Sequence, residues 1–393
     1  MSSGKGKLKP GWKTVKFGDV VRQCKESVDR ENNPFERYVE GGHMNSEDIH
    51  IRRWGKFGID YVGPAFHRVF RKGQVLYGSR RTYLKKVAFA EFDGITANTT
   101  YVCETKDQNV LLQELLPFLM LTDSFTEYSI RESKGSTNPY INWSDIAKYE
   151  FPMPPIEEQE RIAKKLWAAD RSLRKWRDAR IALEKMISVY RVELFTRKQW
   201  PTQKLKELFS VQLGKMLSPK AKTGISPFPY LANYNVQWDC LNYTKVQEMD
   251  FSEKERNKFA LEPGDMLVCE GGEVGRCAIW RGEIENCYYQ KALHRLRPIS
   301  DYSSEMMLQF MMWADRKGKF KALTGHSTIA HLTAIKLKEM DVPVPPEAER
   351  LQAEELVSKY QSAKKTIDDH ITKAMALCRT LSCELITHGG SDV

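Results

Sequence analysis

Phe151-Pro152-Met153-Pro154-Pro155 is echoed by Val342-Pro343-Val344-Pro345-Pro346, and Pro152 and Pro343 stand 191 residues apart in a chain of 393. After each cluster the apolar residues take on helical periodicity and the charge density rises. The same displacement recurs elsewhere. Arg71-Lys72-Gly73-Gln74-Val75-Leu76-Tyr77 matches Glu262-Pro263-Gly264-Asp265-Met266-Leu267-Val268, and Ser136-Thr137 matches Ser327-Thr328. Trp12 to Val20 has a counterpart in Trp200 to Leu208, 188 residues on. Landmarks kept in one order define a duplicated unit, a globular lobe followed by a long helix.

A glycine turn feeding a short apolar run marks a turn entering a buried strand. Lys86–Ala90 and Thr99–Cys103 in the first lobe, and Cys277–Trp280 and Tyr288–Tyr289 in the second, read as strands. Helical stretches are expected around Asn109–Thr122 and Ser304–Leu323. Each lobe is therefore mixed α and β, and the chain is α+β. The expected division is a first lobe at 10–155, a helix at 156–198, a second lobe at 199–346 and a second helix at 347–388.

In the first helix Ile162, Leu166, Ala169, Leu173, Trp176, Arg180, Leu183, Ile187, Tyr190 and Leu194 step by alternating fours and threes. That period of 3.5 residues is a coiled-coil seam. The second helix supplies Leu356, Tyr360, Ala363, Ile367, Ala374, Leu377 and Leu381, with His370 at a seam position. Antiparallel pairing of the two helices is expected, giving a pseudo-two-fold object with the lobes held apart.

Composition narrows the partner. A net charge of +10 points to an acidic one, most commonly nucleic acid. Hydrophobic content of 41% excludes a largely disordered chain. Pro10-Gly11-Trp12-Lys13 stands where a signal peptide needs an apolar run, and no stretch is long and apolar enough to span a bilayer. The eight cysteines form no CxxC pair, so they read as reduced thiols of a cytoplasmic protein.

Catalytic signatures are missing. There is no GxxxxGK[ST] loop, and Glu270-Gly271-Gly272-Glu273-Val274-Gly275 carries acids that would repel phosphate. Asn138-Pro139-Tyr140 lacks the second proline of an amino-methyltransferase site. No catalytic, cofactor-binding or metal-binding residue is assigned.

Binding residues are easier to nominate. Between Arg52 and Lys86 lie Arg52, Arg53, Lys56, Arg68, Arg71, Lys72, Arg80, Arg81, Lys85 and Lys86, against the single acid Asp60, interleaved with aromatics including Tyr83. Such a cluster neutralises phosphates, and arginine forks reach guanine edges. In the second lobe Asn233, Asn235, Gln237, Arg276, Gln290 and Lys291 are the counterparts, with His294, Arg295, Arg297, Arg316, Lys317, Lys319 and Lys321 as further polar or basic positions. The repeated pairs Ser136-Thr137 and Ser327-Thr328 complete the list.

The chain resembles the specificity subunit of type I restriction–modification systems. The resemblance rests on Phe151 to Gln159 running into a helix, its repeat at Val342 to Arg350, and Leu261 to Leu267 with Gly271 to Trp280. It implies two target recognition domains that each read half of a bipartite site in double-stranded DNA. It also implies paired helices that fix the spacer and dock two methyltransferase subunits, with two restriction subunits as optional additions. No cofactor would sit in this chain; S-adenosylmethionine, ATP and Mg would belong to the partners. The first lobe departs from the pattern, with Gly78-Ser79-Arg80-Arg81 in place of the second lobe's Gly-Gly-Glu-Val-Gly-Arg run. The competing reading is a non-catalytic coiled-coil scaffold with two protein-binding lobes.

Overall fold

Gly73 and Gly264 adopt φ of +91° and +97°, a left-handed turn that a side chain would strain. Each leads into a buried strand, Val75–Gly78 or Met266–Cys269. The computed structural model describes residues 8–29, 32–60, 62–197, 199–221, 223–324 and 331–384. They form two compact units: the first holds residues up to Arg177 and those from Asp369 onward, the second Asp178–Asp368. The unit boundary falls inside both long helices.

Within the first unit a four-stranded antiparallel sheet runs in the order Val21–Cys24, Thr100–Thr105, Val75–Gly78, Val87–Phe89. The second unit repeats the order with Phe209–Leu213, Leu293–Pro298, Met266–Cys269 and Cys277–Ile279. A two-stranded ribbon closes each lobe: Lys13–Lys16 on Glu150–Met153, and Thr202–Lys204 on Asp341–Pro343. Backbone hydrogen bonds recur at equivalent places. Gly73 N–H donates to Ala90 O and Gly264 N–H to Trp280 O, both at 2.8 Å. Phe17 N–H meets Tyr149 O at 2.7 Å, as Leu205 N–H meets Met340 O at 2.9 Å. Ile141 N–H meets Ser79 O at 3.0 Å, as Leu332 N–H meets Glu270 O at 2.8 Å. The duplication read from the prolines is therefore a duplication of backbone frame.

The remaining sheets differ. The first unit adds a mixed four-stranded sheet, Gly55–Lys56, Arg37–Val39, Gly94–Ala97, Phe66–Phe70; the second adds a three-stranded one, Gln247–Asp250, Pro227–Leu231, Tyr288–Tyr289, and a ribbon of Val236–Gln237 with Cys240–Leu241. Helix Ser304–Arg316 is capped by Ser303, whose Oγ accepts from Met306 N–H, and buries Phe310 and Met311 against Met266 and Leu296. Its expected first-lobe counterpart around Asn109–Thr122 is only a short turn and a Leu116–Leu119 helix with Pro117 in its first turn. The longer helix starts later, at Asp123–Arg131, because Thr122 caps it.

Ile156–Val192 and Glu347–Cys383 are the long helices, 37 residues each, hence about 55 Å long. Pro155 and Pro346 accept the first helical bonds, where a missing N–H costs nothing. Gln159 fixes the first start: it donates to Val110 O and Pro154 O at 2.9 Å and accepts from Leu112 N–H at 3.0 Å. At the matching place Arg350 grips Asp301 instead.

In the first unit the helices run antiparallel. Trp176 stacks on His370 with ring centroids 4.1 Å apart, while Leu381 packs on the Ile162–Leu166 end. Leu173 is also buried. In the second unit Arg180 pairs with Asp368 at 2.8 Å, and Ile187, with Leu183 beside it, packs on Val357 and Tyr360. Leu194 joins the second lobe's core. Two positions of the second helix depart from the heptad reading. Val357 takes the fully buried place beside a half-buried Leu356, and Leu377 is 51% exposed while Ser382 turns inward. Ile367 is half-buried.

Candidate nucleic-acid interface

Two first-unit loops lie side by side. Ser79–Lys86 contains the turn Thr82–Leu84, flanked by Arg81 at φ +50° and Lys85 at φ +47°. Residues 133–141 run against it: Arg80 bridges to Tyr140, Arg81 N–H donates to Pro139 O at 2.7 Å, and Thr82 Oγ1 lies 3.3 Å from Ser133 Oγ. This pairing brings Arg80, Arg81, Tyr83, Ser136 and Thr137 onto adjoining exposed loops. Tyr83 is 52% exposed, and the Arg80 guanidinium lies 5.7 Å from the ring centre of Tyr140. Exposed cations and aromatic edges together suit phosphate contact and base-edge contact. Tyr140, 39% exposed, is not among the residues nominated from the sequence. Tyr140 follows a proline turn beside the nominated Ser136-Thr137, which was the available signal.

Other nominated cations are engaged internally. Arg52 Nε lies 2.7 Å from Asp48, a carboxylate that also faces Arg177 at 3.3 Å. Burial alone would raise the Asp48 pKa; Arg52 and Arg177 outweigh it and bring it below the usual value. Arg53 donates to Gly42 O at 3.0 Å and stays exposed. Lys56 is exposed on a strand edge. Lys85 pairs with Asp123 at 2.7 Å and Glu47 at 3.2 Å, and Lys86 donates to Gly41 O. Arg71 is held by Glu26 and Asp93. The basic stretch thus divides into a structural part and a presented part.

In the second unit the division is sharper. Asn235 is 1% exposed and knits its own loop, donating to Asn242 O and Lys245 O and accepting from Ala232 N–H. Arg276 donates to both oxygens of Asn233 and pairs with Glu273 at 3.2 Å. Gln237 donates to Tyr234 O at 3.2 Å. Gln290 is half-buried and Lys291 exposed, both beside Lys215. His294 is fully buried on Leu332 O, Arg295 donates to Ala260 O, and Arg297 holds Asp265. Tyr234, 42% exposed, was not nominated. Ser327 and Thr328 lie outside the described residues.

One histidine ties the first lobe to its helix. His50 Nδ1 is 2.8 Å from Glu91 and Nε2 is 2.8 Å from Asp170 on the first long helix, with Arg174 3.7 Å from Glu91. Burial lowers the His50 pKa, but Asp170 and Glu91 prevail and raise it. A raised folded pKa contributes stability fully present below the unfolded value, about 6.5. That contribution is lost as pH rises through the higher folded value. The melting difference between the native chain and His50→Gln is therefore expected to shrink from about pH 6.5 upward; a difference independent of pH would refute this.

Among the described residues no group of three His, Cys, Asp or Glu could hold a metal ion, and no helix is long and apolar enough to cross a membrane. All eight cysteines are free.

A frame repeated twice, with each lobe closed onto an antiparallel helix pair, matches the model of the type I restriction modification DNA specificity domain over residues 9–183 and 197–372. The chain belongs to that family. The EcoDI specificity subunit of Escherichia coli is 28% identical over 159 residues, 39% of this chain and 34% of that protein. The HindI specificity subunit of Haemophilus influenzae is 25% identical over 156 residues, 38% of this chain and 33% of that one. Both matches thus span about a third of these relatives' length. The S subunit from M. genitalium has the same fold: TM-score 0.58, 15% identity, 99% of each chain covered. A chain of a solved type I R-M system gives 0.55 at 19% identity, over 96% of this chain and 98% of that one.

Proposed function

We propose that this chain is the non-catalytic DNA-reading subunit of a type I restriction–modification complex in the cytoplasm. Each lobe reads one half of a bipartite duplex site, and the paired helices set the spacer and dock two methyltransferase subunits. S-adenosylmethionine, and ATP and Mg where restriction subunits join, belong to those partners. The observation that carries the reading is the paired first-unit loops, which present Arg80, Arg81, Tyr83 and Tyr140 on a backbone frame used twice. Family membership and the net charge of +10 support it.

Co-purified with its methyltransferase partner, the chain is expected to direct methylation to one bipartite sequence. Methylation without sequence preference would sink the proposal, and partner binding without a DNA footprint would favour a protein scaffold. Arg81→Ala is expected to relax one half-site only, by about 1–3 kcal/mol of base discrimination. Equal weakening on unrelated duplexes would make Arg81 a phosphate contact instead.

A further inference from the structure

Among the described residues five non-glycines have positive φ, and three of them, Glu47, Arg81 and Lys85, meet around one loop of the first unit. Left-handed backbone at such residues persists only where the surroundings enforce it. The enforcing contacts converge on Glu47. Its backbone N–H donates to Lys85 O at 3.2 Å, and its carboxylate lies 3.2 Å from Lys85 Nζ. Ser46 Oγ, next in the chain, donates to Leu84 O at 2.7 Å. The other carboxylate oxygen of Glu47 accepts from Arg379 Nη2 of the second long helix at 2.7 Å, and Arg177 of the first donates to Glu47 O at 3.5 Å. Lys85 is completed by Asp123, in the first turn of the Asp123–Arg131 helix. Glu47 is three-quarters buried and Lys85 more so, which strengthens the pairing relative to a surface ion pair.

We infer that Glu47 is a positioning residue for recognition: it holds Ser79–Lys86 in its strained shape and ties that shape to the helix pair through Arg379. Glu47 touches no DNA in this account. It acts through Lys85, beside the Ser46 bond to Leu84 O, on the exposed Arg80, Arg81 and Tyr83. How the second helix is seated against the lobe then bears on how sharply the first half-site is read. The inference rests on the DNA-reading function proposed above.

The test uses the full chain assembled with its methyltransferase partner and a pool of duplexes randomised over both half-sites. The native complex should enrich one bipartite sequence, and Arg81→Ala identifies the half read by the first lobe. Glu47→Gln is expected to lower preference within that half by roughly ten-fold, the scale of one charge-assisted hydrogen bond, while the other half is unchanged. Glu47→Asp, which keeps the charge, should recover part of the loss. Arg379→Gln should act in the same direction and non-additively with Glu47→Gln. Undiminished preference in Glu47→Gln overturns the inference. Equal loss at both halves also overturns it, because that marks general destabilisation. If the native complex enriches no sequence, the DNA-reading function itself has failed, and this inference with it.

Discussion

Raising salt from 50 to 200 mM is expected to weaken duplex binding by the assembled chain by about three decades. The magnitude follows from how the basic stretch is used. Of its ten cations, Arg52, Arg71 and Lys85 hold carboxylates and Lys86 holds a backbone carbonyl. The side-chain cations of Arg53, Lys56, Arg68, Lys72, Arg80 and Arg81 make no ion pair with a carboxylate among the described residues, and Arg53, which also reaches Gly42 O, stays exposed where Lys86 does not. Six neutralised phosphates correspond to a slope of roughly −5 in log K against log salt, the low end of the range for specific complexes. A slope near zero would remove nucleic acid as the partner. A slope near −10 would show that cations outside this stretch dominate.

Asp265→Ala is expected to destabilise the second unit by about 3 kcal/mol. The Asp265 carboxylate is 1% exposed and takes a two-pronged grip from Arg297, at 2.7 Å from Nε and 2.8 Å from Nη2. It also accepts from Glu262 N–H at 2.7 Å, closing the turn that contains Gly264. Truncation strands the guanidinium and an amide. The cost stays at the lower end for a buried pair because Arg297 is 28% exposed and keeps Glu262. Urea unfolding of the full chain would measure it, with hydrogen exchange at Leu267 and Leu296 localising the effect. A loss below 1 kcal/mol would mean that Arg297 is rescued by water and Glu262. Asp265→Asn keeps an acceptor for the Glu262 amide and should cost less.

The frame was more legible than the site, and the reason is physical. Turn glycines, proline clusters and heptads are local signals, and the glycine pair Gly73 and Gly264 marks equivalent backbone bonds in the two lobes. Side-chain pairing is not local. Glu47 meets Arg379 across 332 residues and Lys85 meets Asp123 across 38, so Lys85 looks free in sequence although it is not; Arg52 has a local partner, Asp48, which stands just before the basic stretch. Asn235 looked like a reader because asparagine has the right groups, but those groups close its own loop. In the second helix the polar run Thr372-Lys373 gives no apolar anchor to carry the phase, so Leu377 was placed inward while it is 51% exposed.

The discontinuity of the first unit has a kinetic consequence. The second unit is one continuous stretch, whereas the first draws its second helix segment from Asp369 onward. At about 5–20 residues per second of synthesis, the first lobe waits ten seconds or more for that segment. During this interval Ile162 and Leu166 lack Leu381, and Glu47 lacks Arg379. The lobe made first is therefore the last to be completed. A released chain truncated before Asp369 should show the second unit more resistant to proteolysis than the first.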